Sequence, residues 1–195
     1  MAEGSIAILE QGEAAPGFSL TGTDGVSYSL DDFLDNTAIL VVFTCNHCPY
    51  AVAKMPLLND LAAEYDELAV VGINANANED YPDDSFERMQ ELSENGTVKY
   101  DAYLFDESQE VAAAYGAVCT PDPFLFAVEN GTTSLAYHGR LDDAPNPDDE
   151  PERIIIREAI ESVLTGEAVT IEERPSRGCT IKWRDGNEPE YWDQV

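Results

Sequence analysis

Thr37 to Tyr50 reads TAILVVFTCNHCPY, and this stretch decides the fold. Its first eight residues are apolar or β-branched without alternation, the mark of a short strand buried on both faces of a sheet. Cys45 and Cys48 follow at once, and Pro49 then suits a first helical turn. Val52, Met55, Leu58, Leu61 and Tyr65 carry one helical side on to about residue 65, with Pro56 placed to kink it. A pair of thiols therefore sits where a buried strand hands over to a helix.

Outward from this junction, strands and helices alternate. Phe18 to Leu30 reads as a hairpin turning over Thr23-Asp24-Gly25, and Leu68 to Asn74 as a second buried strand. Asp83 or Asp84 is placed to cap a helix bearing Phe86, Met89 and Leu92 that stops at Gly96. Tyr100 to Phe105 reads as a strand. Asp106-Glu107-Ser108-Gln109 resembles a capping box for a helix ending at Tyr115-Gly116. Phe124 to Val128 and Thr133 to Tyr137 form a hairpin around Asn130-Gly131, and Asp142 to Glu152 is an acidic, proline-rich loop. A last helix is begun by Pro151, closed by Gly166, and buries Ile156, Ile160, Val163 and Leu164. Cys179 to Trp183 is strand-like. This order predicts an α/β fold, a three-layer α/β/α sandwich around a mixed central sheet with an N-terminal β-hairpin. Residues 1–166 form the domain, and 167–195 a C-terminal extension packing on it.

The spacing of Cys45 and Cys48 points to redox chemistry. The nucleophile in disulfide exchange is a thiolate, and unpaired N–H groups at a helix start stabilise negative sulfur. Two intervening residues let the second thiol reach the first and resolve a mixed disulfide. On this reading Cys45 is the exposed attacker with a lowered pKa, Cys48 the more buried resolver, and His47 a supporting group for Cys45. Two other readings use the same residues. Cys45, Cys48 and His47 could belong to a metal-binding or copper-delivery module, although no second C-x-x-C supplies further ligands. Cys48 could also be an inert apolar residue of a redox-inactive interaction domain. The redox reading needs no metal and no cofactor. With no flavin or nicotinamide motif in the chain, an external thioredoxin-like donor or small thiol must act as reductant.

Charge narrows the partners. The chain has 39 acidic against 10 basic residues and a formal net charge of −29. Such a surface repels nucleic acid and anionic membranes. The same charge pushes a folded chain apart until salt near 1 M shortens the screening length to about 3 Å, so the composition is of the halophilic type. No stretch approaches the roughly 20 apolar residues of a membrane span. Met1 to Glu10 lacks a basic segment and an apolar run. A cytoplasmic location is therefore expected, where a disulfide is catalytic or sensing.

FTCNHCPY with its helix, then YGAVCTPDPFLF, GRLDD and PSRGCTIKW, together resemble the peroxiredoxin-like, or redoxin, branch of the thioredoxin superfamily. The resemblance spans about Gly12 to Trp183 and implies a thioredoxin fold. It also implies thiol–disulfide exchange with protein disulfides or low-molecular-weight thiols and disulfides, with thiol peroxidase activity as the enzymatic alternative. It makes Pro121 a cis-proline facing the cysteine pair, with Thr120 in contact with substrate. Two departures stand out. Peroxiredoxins carry Pro-x-x-x-Thr/Ser-x-x-Cys, their peroxidatic cysteine aligning with Cys48. Here Val41 replaces that proline and Cys45 that threonine, which counts against the peroxiredoxin route. The buried aspartate of thioredoxins is also missing, Ile39 and Leu40 standing in its region, so another proton acceptor or a water must serve, with His47 as the candidate.

The fold so implied brings Cys119 near the pair. Cys179 lies in Arg174 to Arg184, which holds four of the ten basic residues and no acid. No carboxylate occurs from Thr37 through Leu58 or from Val111 through Pro121 either, so every cysteine sits in an acid-free window. The basic tail is expected to fold back over the active face. There Cys119 and Cys179 are candidate auxiliary thiols, pairing with each other or with Cys179 resolving an oxidised Cys45. His138 reads as structural, Trp183 and Trp192 as tail anchors. The acids between Asp142 and Glu150 lack the spacing and glycine of a calcium loop.

Overall fold

The computed structural model describes residues 2–3, 8–172 and 174–192. The remaining residues, at the two chain ends and at 173, include parts of the opening stretch and of the extension read above, and lie outside the described residues. In chain order the elements are β1 (Ala2–Glu3), β2 (Ser19–Gly22), β3 (Ser27–Ser29), β4 (Ala38–Phe43), α1 (Pro49–Val52), α2 (Met55–Glu64) and β5 (Leu68–Asn74). They continue with α3 (Phe86–Glu94), β6 (Ala102–Phe105), α4 (Glu110–Tyr115), β7 (Cys119–Thr120), β8 (Asp122–Glu129), β9 (Thr132–His138), α5 (Ile155–Leu164) and β10 (Arg177–Thr180).

Seven strands form a mixed sheet in the order β3-β2-β6-β5-β4-β8-β9, while β1, β10 and β7 make a small second sheet. β4 runs parallel to β5 and antiparallel to β8, so the apolar run that opens the site lies at the middle of the sheet. Its residues alternate between two cores. Ile39, Val41 and Phe43 join Tyr115 of α4 and Trp183 of the tail. Ala38, Leu40 and Val42 join Leu58 and Leu61 of α2 and Ile156 and Ile160 of α5. Burial on both faces is why this strand shows no polar alternation. The Asn130-Gly131 turn between β8 and β9 has φ of 53° and 74°, the left-handed pair that a two-residue hairpin needs.

Several expectations are corrected. Pro56 breaks the helix outright: it has no N–H to offer the Val52 carbonyl, so α1 ends there and α2 restarts at Met55. Val52 is consequently 42% exposed, and Ala51 is buried in its stead. Helix α3 is capped by Ser85, which accepts from the Arg88 N–H at 3.3 Å, because Asp84 is drawn into the interior. The box before α4 does not form. Gln109 takes φ 65°, and the Asp106 carboxylate reaches past it to the Ala112 N–H at 2.9 Å. Asp143 accepts from the N–H groups of Glu152 and Arg153 at 2.9 and 3.0 Å, holding them in the loop, so α5 starts at Ile155 rather than Pro151. The tail strand is Arg177–Thr180, because beyond it Ile181 and Trp183 turn into the core.

Buried side chains tie the tail down, Gln109 with the most bonds. Gln109 donates to the Ala75 and Lys182 carbonyls at 2.7 and 3.0 Å and accepts from the Arg184 N–H at 2.9 Å. Antiparallel pairing then sets Cys179 opposite Thr120 and Thr180 opposite Cys119. A Cβ on Gly178 would overlap the Thr120 carbonyl, so only glycine allows this approach. Among the described residues no helix is long and apolar enough to cross a membrane.

Candidate dithiol site

Cys45 leaves the end of β4, and Cys48 is the residue before α1, with extended backbone at φ −67° and ψ 122°. The two residues between them are held by an acid from elsewhere. Fully buried Asp84 accepts from the Asn46 N–H at 2.6 Å, from His47 Nδ1 at 2.5 Å and from Asn76 Nδ2 at 2.7 Å. Asn46 in turn donates to the Asp83 carbonyl at 3.0 Å and accepts from the Tyr103 hydroxyl at 2.7 Å. His47 stacks on Tyr81, with ring centres 5.4 Å apart.

Thr120 meets both sulfurs. Its hydroxyl lies 3.1 Å from Cys45 Sγ, and its carbonyl, 3.3 Å from Cys48 Sγ, accepts from Cys48 while that sulfur is a thiol. The Thr120–Pro121 peptide bond is cis. All four cysteines are unpaired, and Cys45 and Cys48 are both fully buried. The expected exposure of Cys45 is thus corrected: β10 and the Thr120–Pro121 segment lie over both sulfurs.

The two thiols are coupled in their ionisation. The Cys48 thiol is drawn down to about 5, chiefly by the hydrogen bond from Cys45. Burial opposes this, and further bonds from the Cys179 thiol and the Ala51 and Cys179 N–H groups add to it. Cys45 is pushed far up by the bond it gives Cys48, by burial and by the charge of Asp84. A helix of one turn has little dipole to offer, so the supply of hydrogen bonds decides which sulfur carries the charge.

Of the auxiliary thiols, the fold brings one to the site. Cys179 packs with Cys45, Cys48 and Tyr50. Its side chain and N–H bond to Cys48, so Cys48 is the sulfur it engages directly. Cys119 faces the other side of the β7–β10 ladder, buried with Val118 and Tyr191, and burial pushes its pKa well up. This register also sets Cys119 and Cys179 on opposite faces, against their pairing. The acid-free windows hold along the chain but not in space, because the fold returns Asp84 to Cys45. His138 is structural: it bonds Asp122 at 2.9 Å and stacks on Phe124 at 4.0 Å.

Asp84 is the residue that sequence reasoning missed. Its local setting reads as a helix cap, and the one hint is that Ser85 beside it can cap α3 unaided. Cys45, His47 and Asp84 offer ligand atoms within 4.8 Å of one another, the group here that could hold a metal. The His47–Asp84 contact at 2.5 Å is a hydrogen bond, whereas one tetrahedral ion would hold two such ligand atoms about 3.3 Å apart. As arranged, the charge of Asp84 acts on Cys45. Asp84→Asn removes that charge, so the second thiolate of the pair will form at lower pH than in the parent, measured as thiolate ultraviolet absorbance against pH.

A central mixed sheet, a dithiol where strand meets helix and a cis-proline against both sulfurs define a thioredoxin-fold redox protein. Residues 11–137 match the model of the AhpC/TSA family, and the chain belongs to that family. It is similar to a hypothetical protein from Sinorhizobium meliloti, with 39% identity over 91% of this chain and 97% of that one and a TM-score of 0.82. An uncharacterized conserved protein from Geobacillus kaustophilus is 37% identical over 94% of this chain and 96% of that one, with a TM-score of 0.85. The fold is also shared with Chlorobium tepidum DsbE, a putative thiol:disulfide interchange protein by its description, at 21% identity, 81% and 97% coverage and a TM-score of 0.57. No curated protein matches.

Proposed function

We propose that this protein is a thiol–disulfide oxidoreductase cycling between the Cys45/Cys48 dithiol and a Cys45–Cys48 disulfide. The observation that carries this reading is that both sulfurs lie in one buried cluster and meet at Thr120, whose hydroxyl is 3.1 Å from Cys45 Sγ and whose carbonyl is 3.3 Å from Cys48 Sγ. Cys48 thiolate attacks a partner disulfide, and one partner sulfur leaves as a thiolate that takes up a proton. Cys45 has then lost its hydrogen-bond acceptor. It gives its proton to the nearby His47–Asp84 pair, attacks Cys48 Sγ and expels the second partner thiol. Two protein thiols are oxidised and one disulfide becomes two thiols. Partners are protein disulfides or small disulfides, and an external thiol restores the dithiol. In a glutathione redox buffer the two cysteines will lose reactivity together as one disulfide, read by peptide mass mapping. Independent modification of each would overturn the reading.

One observation favours a second reading. The acidic sulfur is Cys48, the position that aligns with a peroxidatic cysteine, and its burial admits a small hydroperoxide more readily than a protein. Peroxide consumption that survives Cys45→Ser but not Cys48→Ser would establish it.

A further inference from the structure

The strand that covers the site carries a thiol of its own. β10 pairs with β7 so closely that Gly178 admits no side chain, and this register aims Cys179 at the face where Thr120 touches both sulfurs. The Cys179 side chain and N–H reach Cys48. Cys45 and Cys48 are sealed from solvent, while Cys179 is only partly covered. Any group joined to Cys48 must therefore emerge beside Cys179.

We propose that Cys179 is the third thiol of this site and the first to resolve Cys48, through a transient Cys48–Cys179 disulfide that fastens β10 over the site. The inference rests on the thiol–disulfide reading above. Cys48 thiolate first attacks a small disulfide and releases one thiol. That first leaving sulfur departs as a thiolate and takes the Cys179 proton, and the Cys179 thiolate then attacks Cys48 Sγ and displaces the second small thiolate. Cys45 gives its proton to the second small thiolate and attacks Cys48 Sγ, and Cys179 leaves as a thiolate that takes a proton from water. The sum is unchanged: two protein thiols become the Cys45–Cys48 disulfide, and the small disulfide becomes two thiols.

The electrostatics explain why Cys179 precedes Cys45. Cys179 is pushed up to about 11 by burial, by the hydrogen bond with Cys48 and by the charge of Cys48, while Lys182 acts in the opposite direction. The two causes that involve Cys48 vanish once Cys48 is in a mixed disulfide. For Cys45 the bond with Cys48 vanishes too, but burial and the Asp84 charge persist, whereas Cys179 keeps only its lighter burial, opposed by Lys182. Contact with Cys48 also makes closure intramolecular, which favours it by orders of magnitude over attack from solution.

The test uses the full chain, hydroxyethyl disulfide as oxidant, rapid acid quenching and peptide mass mapping. In the parent protein, Cys48–Cys179 should appear first and Cys45–Cys48 later. In Cys45→Ser, with Cys45→Ala as a second variant against misfolding, Cys48–Cys179 should accumulate as the end product. In Cys179→Ala, the mixed disulfide on Cys48 should last at least about tenfold longer. Cys45 variants that keep the mixed disulfide while Cys179 stays alkylatable would overturn the proposal, and so would an unchanged lifetime in Cys179→Ala. Either result with a normal parental Cys45–Cys48 bond spares the oxidoreductase reading. Failure of that bond in the parent would sink both.

Discussion

Replacing Cys48 with serine will abolish the thiolate that titrates near pH 5 and reduce reaction with small disulfides by roughly 10³-fold or more. The reason is the division of labour between the sulfurs. Cys48 is the acceptor of hydrogen bonds from Cys45, Cys179 and the Ala51 N–H, and without it the remaining thiols are held protonated. The sign with pH follows directly. Thiolate grows as pH rises through about 5, so the reaction of the parent should reach a plateau well below neutrality. A Cys48→Ser protein should instead show only slow reaction that climbs in alkali. Cys45→Ala takes away the main stabilising bond and should move the titration of Cys48 upward, toward the ordinary thiol range. Ultraviolet absorbance of thiolate reads all three proteins without any reagent having to enter the buried site. An acidic thiolate retained in Cys48→Ser would assign the charge to Cys45 and restore the order that the cysteine spacing alone suggests.

The ionisation of the pair shows which links sequence carries and which it does not. β4 and β5 were legible because burial on both faces leaves an uninterrupted apolar run, and the β8–β9 turn because Asn-Gly is the pair that tolerates its dihedrals. The cysteine pair, Thr120 and the cis-proline were legible by spacing and resemblance. Ionisation was not, because it depends on which groups point at each sulfur. Pro56 cuts the helix behind Cys48 to a single turn, and the stabilising donors come from Cys45, Ala51 and a residue 131 positions away, Cys179. Asp84 was obscured for a related reason. An acid before a helix has an ordinary local use, and only tertiary structure reveals that it turns inward to hold Asn46, His47 and Asn76. The acid-free stretches around the cysteines were a true pattern with an incomplete meaning, since a distant residue restores a negative charge.

A second large effect should come from a single ion pair. Lys54 stands in the break between α1 and α2, and its ammonium lies 2.6 Å from Asp142 Oδ2. Their side chains are only 14% and 4% exposed. In a chain with 10 basic residues against 39 acidic ones, this is one of few cations, and Arg140 and Arg177, which line the same cleft, are the others beside it. Lys54→Met leaves the Asp142 carboxylate with its one bond from the Ala144 N–H at 3.1 Å. Stranding a buried charge in this way costs about 3–5 kcal/mol, or on the order of 10 °C in Tm for a chain of this length. Removing both charges together, in Lys54→Met/Asp142→Leu, should recover most of the loss, because the penalty belongs to the orphaned carboxylate and not to the missing pair. Salt separates this effect from surface repulsion. Raising salt toward 1 M should stabilise the parent by screening its exposed acids, yet leave the deficit of Lys54→Met nearly intact, since a buried charge is poorly screened. Thermal unfolding of the parent and both variants in low and high salt measures each quantity. If salt closed the gap between Lys54→Met and the parent, the pair would be acting as part of the solvated surface rather than as the buried link between the dithiol helix and the acidic loop.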